Sequence, residues 1–237
     1  MLFIGEIEMT KITEMSDGSK NSHKKTIFSL WNNKKLWTVI IMFIALFLSA
    51  FRILDFPEGG SITFMGLFVL WLYTFFYGWK AGLCFSVVFG VLRYIVATYT
   101  GEFLFVGVPE KYKMLVLVLE FPVAYGVFFA GGLLASKTQK NSDESIFQIE
   151  ENNRELIGGY LLGIFLQYVV YVITAIVLYD SKGRGTAENI WYCVRYDAFG
   201  LVFEAVLTCL ILLIPEVRKG IFYLKFIATH KEEENNL

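Results

Sequence analysis

The segment at residues 37–54, WTVIIMFIALFLSAFRIL, is apolar over a length that can cross a lipid bilayer. A transmembrane α-helix needs about 20 predominantly apolar residues. The 237-residue chain is 56% hydrophobic and 17% aromatic, which is too apolar for a soluble domain of this size. The sequence therefore predicts an all-α integral membrane protein, a bundle of six transmembrane helices. The other five helices are expected at residues 62–77, 80–99, 113–135, 156–179 and 192–214.

The distribution of Lys and Arg orients this bundle. If both termini are cytoplasmic, five of the 21 residues, Arg52, Lys111, Lys113, Lys182 and Arg184, lie outside. Two more, Arg93 and Arg195, lie within helices, and the other fourteen lie inside. This excess agrees with the positive-inside rule. We therefore expect an N-terminal cytoplasmic tail at residues 1–36, a membrane domain at 37–215 and a C-terminal cytoplasmic tail at 216–237.

Three charged residues interrupt the apolar segments at a common depth. At a rise of about 1.5 Å per residue, Arg93, Glu120 and Asp197 each lie roughly 9–10 Å below the outer ends of their helices. A charged side chain in hydrocarbon costs roughly 2.5–3.5 kcal/mol by insertion scales, so it usually faces the bundle interior or a ligand. Each charge alone could form a structural ion pair, but the convergence of three helices favours a ligand site that opens outward.

Two helix faces support this interpretation. Steps of seven and eleven residues return to nearly the same side of a helix, so Asp197, Glu204 and Thr208 share one face of the last helix with Leu201. Glu204 lies deeper, and a structural or gating role is expected for it. Arg195 points elsewhere if this helix is regular. The preceding helix carries a polar and small stripe, formed by Tyr160, Gly163, Gln167, Tyr171 and Thr174.

The sequence carries no pattern for catalysis, metal binding or nucleotide binding. The three cysteines lack metal-ligand spacing, and both histidines lie in the tails. No phosphate-binding loop or dinucleotide fingerprint is present. We therefore expect no catalytic residue, cofactor, metal or nucleic-acid partner, and any ATP-driven transport must use ATPases from other proteins. Small residues such as Gly159 and Gly163 indicate close helix packing, whereas Ala45 and Ser49 on the first helix are candidates for contact with a partner.

Three strings, in this order and spacing, resemble the thiamine-specific substrate-binding subunits of energy-coupling factor (ECF) transporters. They are FPEGGSIT at residues 56–63, YGWKAG at 77–82, and LEFPVAYG at 119–126 followed by AGGL at 130–133. The resemblance covers about residues 37–215. It implies six helices, cytoplasmic termini, and a thiamine site near the outer face. It also implies that the first helix docks on a transmembrane coupling subunit, which is powered by two ATPase subunits.

The resemblance also implies site residues. The family's acidic residue corresponds to Glu120, its helix-3 aromatic to Phe89, and its Tyr and Asn in helix 6 to Tyr192 and Asp197. Carboxylates and aromatic rings suit a thiazolium cation, through charge pairing and cation–π contacts of about 0.5–2 kcal/mol each. The expected ligand-binding residues are Glu120, Asp197, Tyr192, Phe89, Arg93, Tyr171, Gly60 and Ser61.

Arg93 and Arg195 depart from the family's pattern, because a cationic ligand does not favour added positive charge. They either balance carboxylates, with Asp197 as the expected partner of Arg93, or receive a phosphate. We favour charge balance. The sequence thus predicts a thiamine-binding transporter subunit in the cell membrane. The alternatives are a subunit for a phosphorylated thiamine or another vitamin, a self-sufficient secondary transporter or channel, and an intramembrane enzyme.

Overall fold

The computed structural model describes residues 34–55, 61–63, 65–102, 105, 107–135, 153–179 and 185–229. Helices make up most of them. In chain order they are α1 Lys34–Ala50, α2 Gly66–Tyr99, α3 Lys113–Val118, α4 Ala124–Gly126, α5 Phe129–Ala135, α6 Asn153–Leu178, α7 Thr186–Leu212 and α8 Pro215–Thr229. A 3-10 turn, Glu110–Tyr112, precedes α3, and a π-helical turn, Leu119–Val123, joins α3 to α4.

Helix α2 folds back on itself at Gly78. This residue has φ 79° and ψ 171°, which lie outside the helical region. The rings of Tyr73 and Phe85 stack with their centroids 3.8 Å apart, whereas twelve residues of straight helix would separate them by about 18 Å. Residues 66–77 therefore form one arm, α2a, and residues 79–99 form the other, α2b. The predicted division into two helices is confirmed.

The predicted all-α membrane fold agrees with the structure, and a short two-stranded antiparallel hairpin follows α1. Strand β1, Arg52–Asp55, pairs with β2, Ser61–Thr63, and Asp55 lies opposite Ser61. Helix α1 ends at Ala50, before the predicted end at residue 54. The stretch after Ala50 leads into the turn-forming residues at 57–60, which favour a reversal over continued helix.

The segment predicted as one helix at residues 113–135 is interrupted. Pro122 lies inside the π-helical turn. Proline interrupts a regular α-helix because it lacks a backbone N–H and its ring clashes with the preceding helical turn. The backbone here also packs closely on α2b, since a Cβ at Gly90 would collide with the carbonyl of Phe121. Glu120 lies within this irregular turn.

The chain after Leu212 is also helical, where a tail was predicted. Helix α8 begins at Pro215, a residue favoured in the first helical turn. It lies at 90° to α7. The Tyr77 hydroxyl at the end of α2a donates a hydrogen bond of 3.2 Å to the carbonyl of Ala228 in α8. Helix α8 therefore packs against the end of the bundle where α2 reverses.

Several of these segments are suited to a membrane. By length and composition, three helical stretches of the described residues could cross it, namely Gly66–Tyr99, which reverses at Gly78, Glu110–Leu133 and Glu155–Leu178; the bent pair α7–α8 would add a fourth if it forms one span. The boundaries of the domain and tails, the count of six spans and the cytoplasmic termini stay predictions. Large apolar side chains also line the outside, including Phe43, which is 69% exposed.

The small residues pack inside the chain. Gly131 and Gly159 both lie against Trp71, whose indole N–H donates a 3.0 Å hydrogen bond to the Leu156 carbonyl. Ala45 and Ser49 are also buried, and Ser49 lies directly against Gly66 at the start of α2. The prediction that Ala45 and Ser49 face a partner subunit is therefore wrong, because α2a covers them.

Candidate functional site

Two carboxylates from different helices meet a tyrosine at one end of the bundle. Glu120 lies in the π-helical turn, and the hydroxyl of Tyr179, directly after α6, donates a 2.7 Å hydrogen bond to its Oε1. Asp197 on α7 lies close enough to Glu120 for direct electrostatic interaction. Its Oδ2 is buried and has no hydrogen-bond partner within the part of the chain that the structure describes. Buried polar atoms normally have partners, so this cluster is suited to a ligand.

Arg93 lies in α2b with only 4% of its surface exposed. Its Nη2 donates a 2.5 Å hydrogen bond to Oε1 of Glu102, which belongs to the turn after α2. The turn places Glu102 close because its backbone N–H donates back to the Ala97 carbonyl. The expected pairing of Arg93 with Asp197 is therefore wrong. Charge balance itself is present, but a carboxylate from the adjoining loop provides it.

Aromatic and amide side chains lie beside Arg93. Phe89 is completely buried and meets Tyr125 edge-on, with ring centroids 5.1 Å apart. Arg93 interacts electrostatically with Tyr125 and Tyr171, whose hydroxyls hydrogen-bond each other. The Gln167 Nε2 donates to the Tyr171 hydroxyl at 3.0 Å. The predicted inward stripe of α6 is confirmed, since Tyr160, Gln167 and Thr174 are all at most 2% exposed.

Glu204 has a structural role, as its depth predicted. Its Oε2 accepts a 2.9 Å hydrogen bond from the Thr63 hydroxyl, and its Oε1 accepts one of 3.0 Å from the backbone N–H of Leu67. The first N–H groups of a helix have no partner within the helix. Glu204 therefore caps the start of α2 from α7 and attaches strand β2 to the bundle.

Tyr192 precedes Asp197 by five residues on α7. It belongs to the face of α7 that lies opposite Asp197, because five residues turn a helix by about 140°. A cavity of about 520 Å³ runs along this face, where Tyr192 stacks on Tyr196 and Arg195 covers Trp191. That Tyr192 and Asp197 contact one ligand stays a prediction. Arg195 points away from the carboxylates, as predicted.

Ser61, another predicted site residue, lies in the hairpin. Ser61 forms backbone pairs in β2, but its side chain and all of Gly60 lie outside the described residues. Thr63, two residues further, contacts Glu204. The hairpin therefore lies beside the α7 face that carries Asp197.

Three residues of the cluster escaped the sequence reasoning. Tyr125 lies in the string LEFPVAYG, and its position five residues after Glu120 could have indicated it. Tyr179 ends an apolar segment outside the polar stripe, and Glu102 lies in a loop. Neither has a periodic signal, since only the folding of the turns after α2 and α6 brings them to the cluster.

The comparison with protein families decides the assignment. A family model described as thiamine transporter protein (Thia_YuaJ) matches residues 36–223. The chain belongs to the thiamine transporter protein family. This confirms the resemblance seen in the three strings. The family and the apolar helices identify a multi-pass protein of the cell membrane. A search of curated proteins finds no match.

Proposed function

We propose that this member of the thiamine transporter family is the substrate-binding subunit of an ECF-type transporter. It captures thiamine from the outer face, and partner subunits drive uptake by hydrolysing ATP. The observation that carries this proposal is the pair of Glu120 and Asp197 inside an apolar bundle, in a chain of a thiamine transporter family.

The charges support a cationic ligand. Arg93 already pairs with Glu102, so it does not neutralise the other two carboxylates. Two neighbouring carboxylates in a poorly hydrated site repel each other, and a cation between them relieves this repulsion. The thiazolium ring of thiamine carries a permanent positive charge. We propose that Glu120 and Asp197 bind this ring.

The neighbouring side chains support an aromatic ligand. Tyr179, Tyr171 and Tyr125 bring phenol rings and hydroxyls to the same region. Phenol rings can stack on flat heterocycles, and their hydroxyls orient carboxylates and ligand groups. Phe89 is covered by Tyr125 and has no exposed surface. The proposed role of Phe89 is therefore to hold the ring of Tyr125 in place by packing against it.

The proposed coupling to ATP hydrolysis follows from the sequence, which carries no nucleotide-binding motif. A coupling subunit and two ATPase subunits would supply ATP hydrolysis and its coupling to transport. Because Ala45 and Ser49 are buried, a docking contact on α1 would use the exposed face of this helix instead. That face carries Val39, Phe43 and Phe47, which are 66%, 69% and 54% exposed.

A binding experiment with purified protein in detergent tests the proposal. Thiamine, riboflavin, biotin and pyridoxine are titrated separately, with tryptophan fluorescence as the signal. We expect saturable binding of thiamine alone. Binding of another vitamin with no response to thiamine would contradict the proposal. Uptake by the isolated chain in liposomes, driven by an ion gradient, would instead support a secondary transporter.

A further inference from the structure

The guanidinium of Arg93 retains hydrogen-bonding capacity inside the bundle. One of its nitrogens, Nη2, pairs with Glu102. The other two, Nε and Nη1, are buried without a hydrogen-bond partner among the described residues. A buried donor without an acceptor is costly, and it is rare in folded proteins. These nitrogens are therefore available to an acceptor on a bound molecule.

A matching free acceptor lies nearby. Gln167, which is 1% exposed, donates through Nε2 to Tyr171. Its Oε1 is buried and accepts no hydrogen bond from any described residue. Tyr171 interacts electrostatically with Arg93 as well, so Arg93 and Gln167 share Tyr171 as a neighbour. Together they present donors from Arg93 and an acceptor from Gln167.

The charge around Arg93 indicates which acceptor it can take. The Arg93–Glu102 pair has no net charge, and Glu204 also interacts electrostatically with Arg93. Glu120 and Asp197 add two more acidic groups to the region. A phosphate would therefore face an excess of carboxylates with a single guanidinium that is already paired. A neutral acceptor, such as a ring nitrogen, meets no such repulsion.

We infer that Arg93 and Gln167 form the neutral end of the binding site. Arg93, held by Glu102, donates to a ring nitrogen of the ligand, while Gln167 accepts from the adjacent amino group. The site thus selects an aminopyrimidine-type ring and disfavours phosphorylated ligands. This inference rests on the proposed thiamine-binding function, since thiamine carries such a ring attached to its thiazolium.

The inference is tested by measuring the affinities of two ligands, thiamine and an analogue, for two proteins, wild type and one variant. The second ligand is 3-benzyl-5-(2-hydroxyethyl)-4-methylthiazolium, in which benzene replaces the aminopyrimidine. The variant is Arg93→Met with Glu102→Met, because removing both partners of a buried ion pair avoids leaving one charge unpaired. We expect the variant to lose at least tenfold in affinity for thiamine and less than threefold for the benzyl compound. Equal losses for both ligands would show a merely structural role and overturn the inference.

Two further measurements examine each half of the assignment. Gln167→Leu should weaken thiamine at least fivefold but leave oxythiamine, in which an oxo group replaces the amino group, within twofold. Wild type should bind thiamine at least tenfold more tightly than thiamine monophosphate, and Glu102→Gln should narrow this ratio because it frees the charge of Arg93. A preference for the monophosphate that disappears in the double methionine variant would overturn the inference.

The controls separate this inference from the proposed function. Arg218→Met in α8 removes an arginine far along the chain from the site and should leave all affinities unchanged. If wild type binds neither thiamine nor the benzyl compound, the proposed function fails and the inference falls with it. If wild type binds both equally well, thiazolium binding stands and only the assignment of Arg93 and Gln167 is wrong.

Discussion

Tyr179 and Glu120 are joined by a hydrogen bond of 2.7 Å, from the hydroxyl to Oε1, although they lie 59 residues apart. The bond connects the C-terminal end of α6 to the π-helical turn. A carboxylate that accepts such a bond is held in one orientation. The turn itself exists because Pro122 interrupts the regular helix. The position of Glu120 therefore depends on two separate irregular segments.

Replacing Tyr179 by Phe should weaken thiamine binding about three- to tenfold. The substitution removes the hydroxyl that orients Glu120, and a net hydrogen bond is worth roughly 0.5–1.5 kcal/mol. Isothermal titration measures the affinity, and Tyr99→Phe, at a residue that is 88% exposed, is the matched control. In a double-mutant cycle with Glu120→Gln the losses should not add. Additive losses would mean that Tyr179 acts independently of Glu120.

Glu120→Gln should weaken thiamine binding at least tenfold while the protein stays folded. A tenfold change corresponds to about 1.4 kcal/mol, a modest loss for a charge partner of a cation in a poorly hydrated site. The matched control is Glu110→Gln, because Glu110 is exposed and forms an ion pair with Lys113 at the surface. Unchanged affinity in Glu120→Gln would remove this residue from the site.

Glu204→Leu should destabilise the protein more than Glu204→Gln. Leucine leaves both the Thr63 hydroxyl and the Leu67 N–H without their acceptor, and each unsatisfied buried group costs roughly 1–3 kcal/mol. Glutamine keeps one acceptor oxygen. Thermal unfolding in detergent measures the difference, with the exposed Glu216→Gln as control. Equal midpoints for Glu204→Leu and wild type would contradict the capping role.

Gly78→Ala should destabilise the protein by roughly 1–2 kcal/mol, the cost of placing a Cβ at positive φ. The cause is purely conformational, since a Cβ at Gly78 would contact no described atom within 4 Å. Gly220 in α8 also has open space but no positive φ. Gly220→Ala should therefore leave stability unchanged or raise it. If both substitutions have the same effect, the strain at the reversal of α2 is negligible.

Ala45→Leu should impair folding, because α2a packs over Ala45 and extra methylenes in a packed interior cost typically 1–3 kcal/mol. Phe43→Ala on the exposed face of α1 should leave thiamine binding intact. Under the proposed docking of α1 on a coupling subunit, it should also reduce uptake by the reconstituted transporter. Size-exclusion profiles and vesicle uptake distinguish the two effects. A well-folded Ala45→Leu variant that binds thiamine but does not transport it would restore the original docking interpretation.

The sequence predicted the features that depend on local composition and helical period. Apolar length gave the membrane helices, and periodicity placed Gln167, Tyr171 and Thr174 on one inward face. The reversal within the α2 region was also predictable, because YGWKAG separates two apolar segments. The depth of Asp197 was counted from a predicted helix start at residue 192, but α7 begins at Thr186, six residues earlier, so the counted depth does not apply to Asp197.

Only the tertiary structure decided which of these residues meet. Arg93 pairs with Glu102, which the turn after α2 brings close. Tyr179 hydrogen-bonds Glu120, which lies in the π-helical turn that contains Pro122. Residues on one helix are related by a fixed rotation, whereas contacts between helices depend on loop paths and local irregularities that no periodicity encodes.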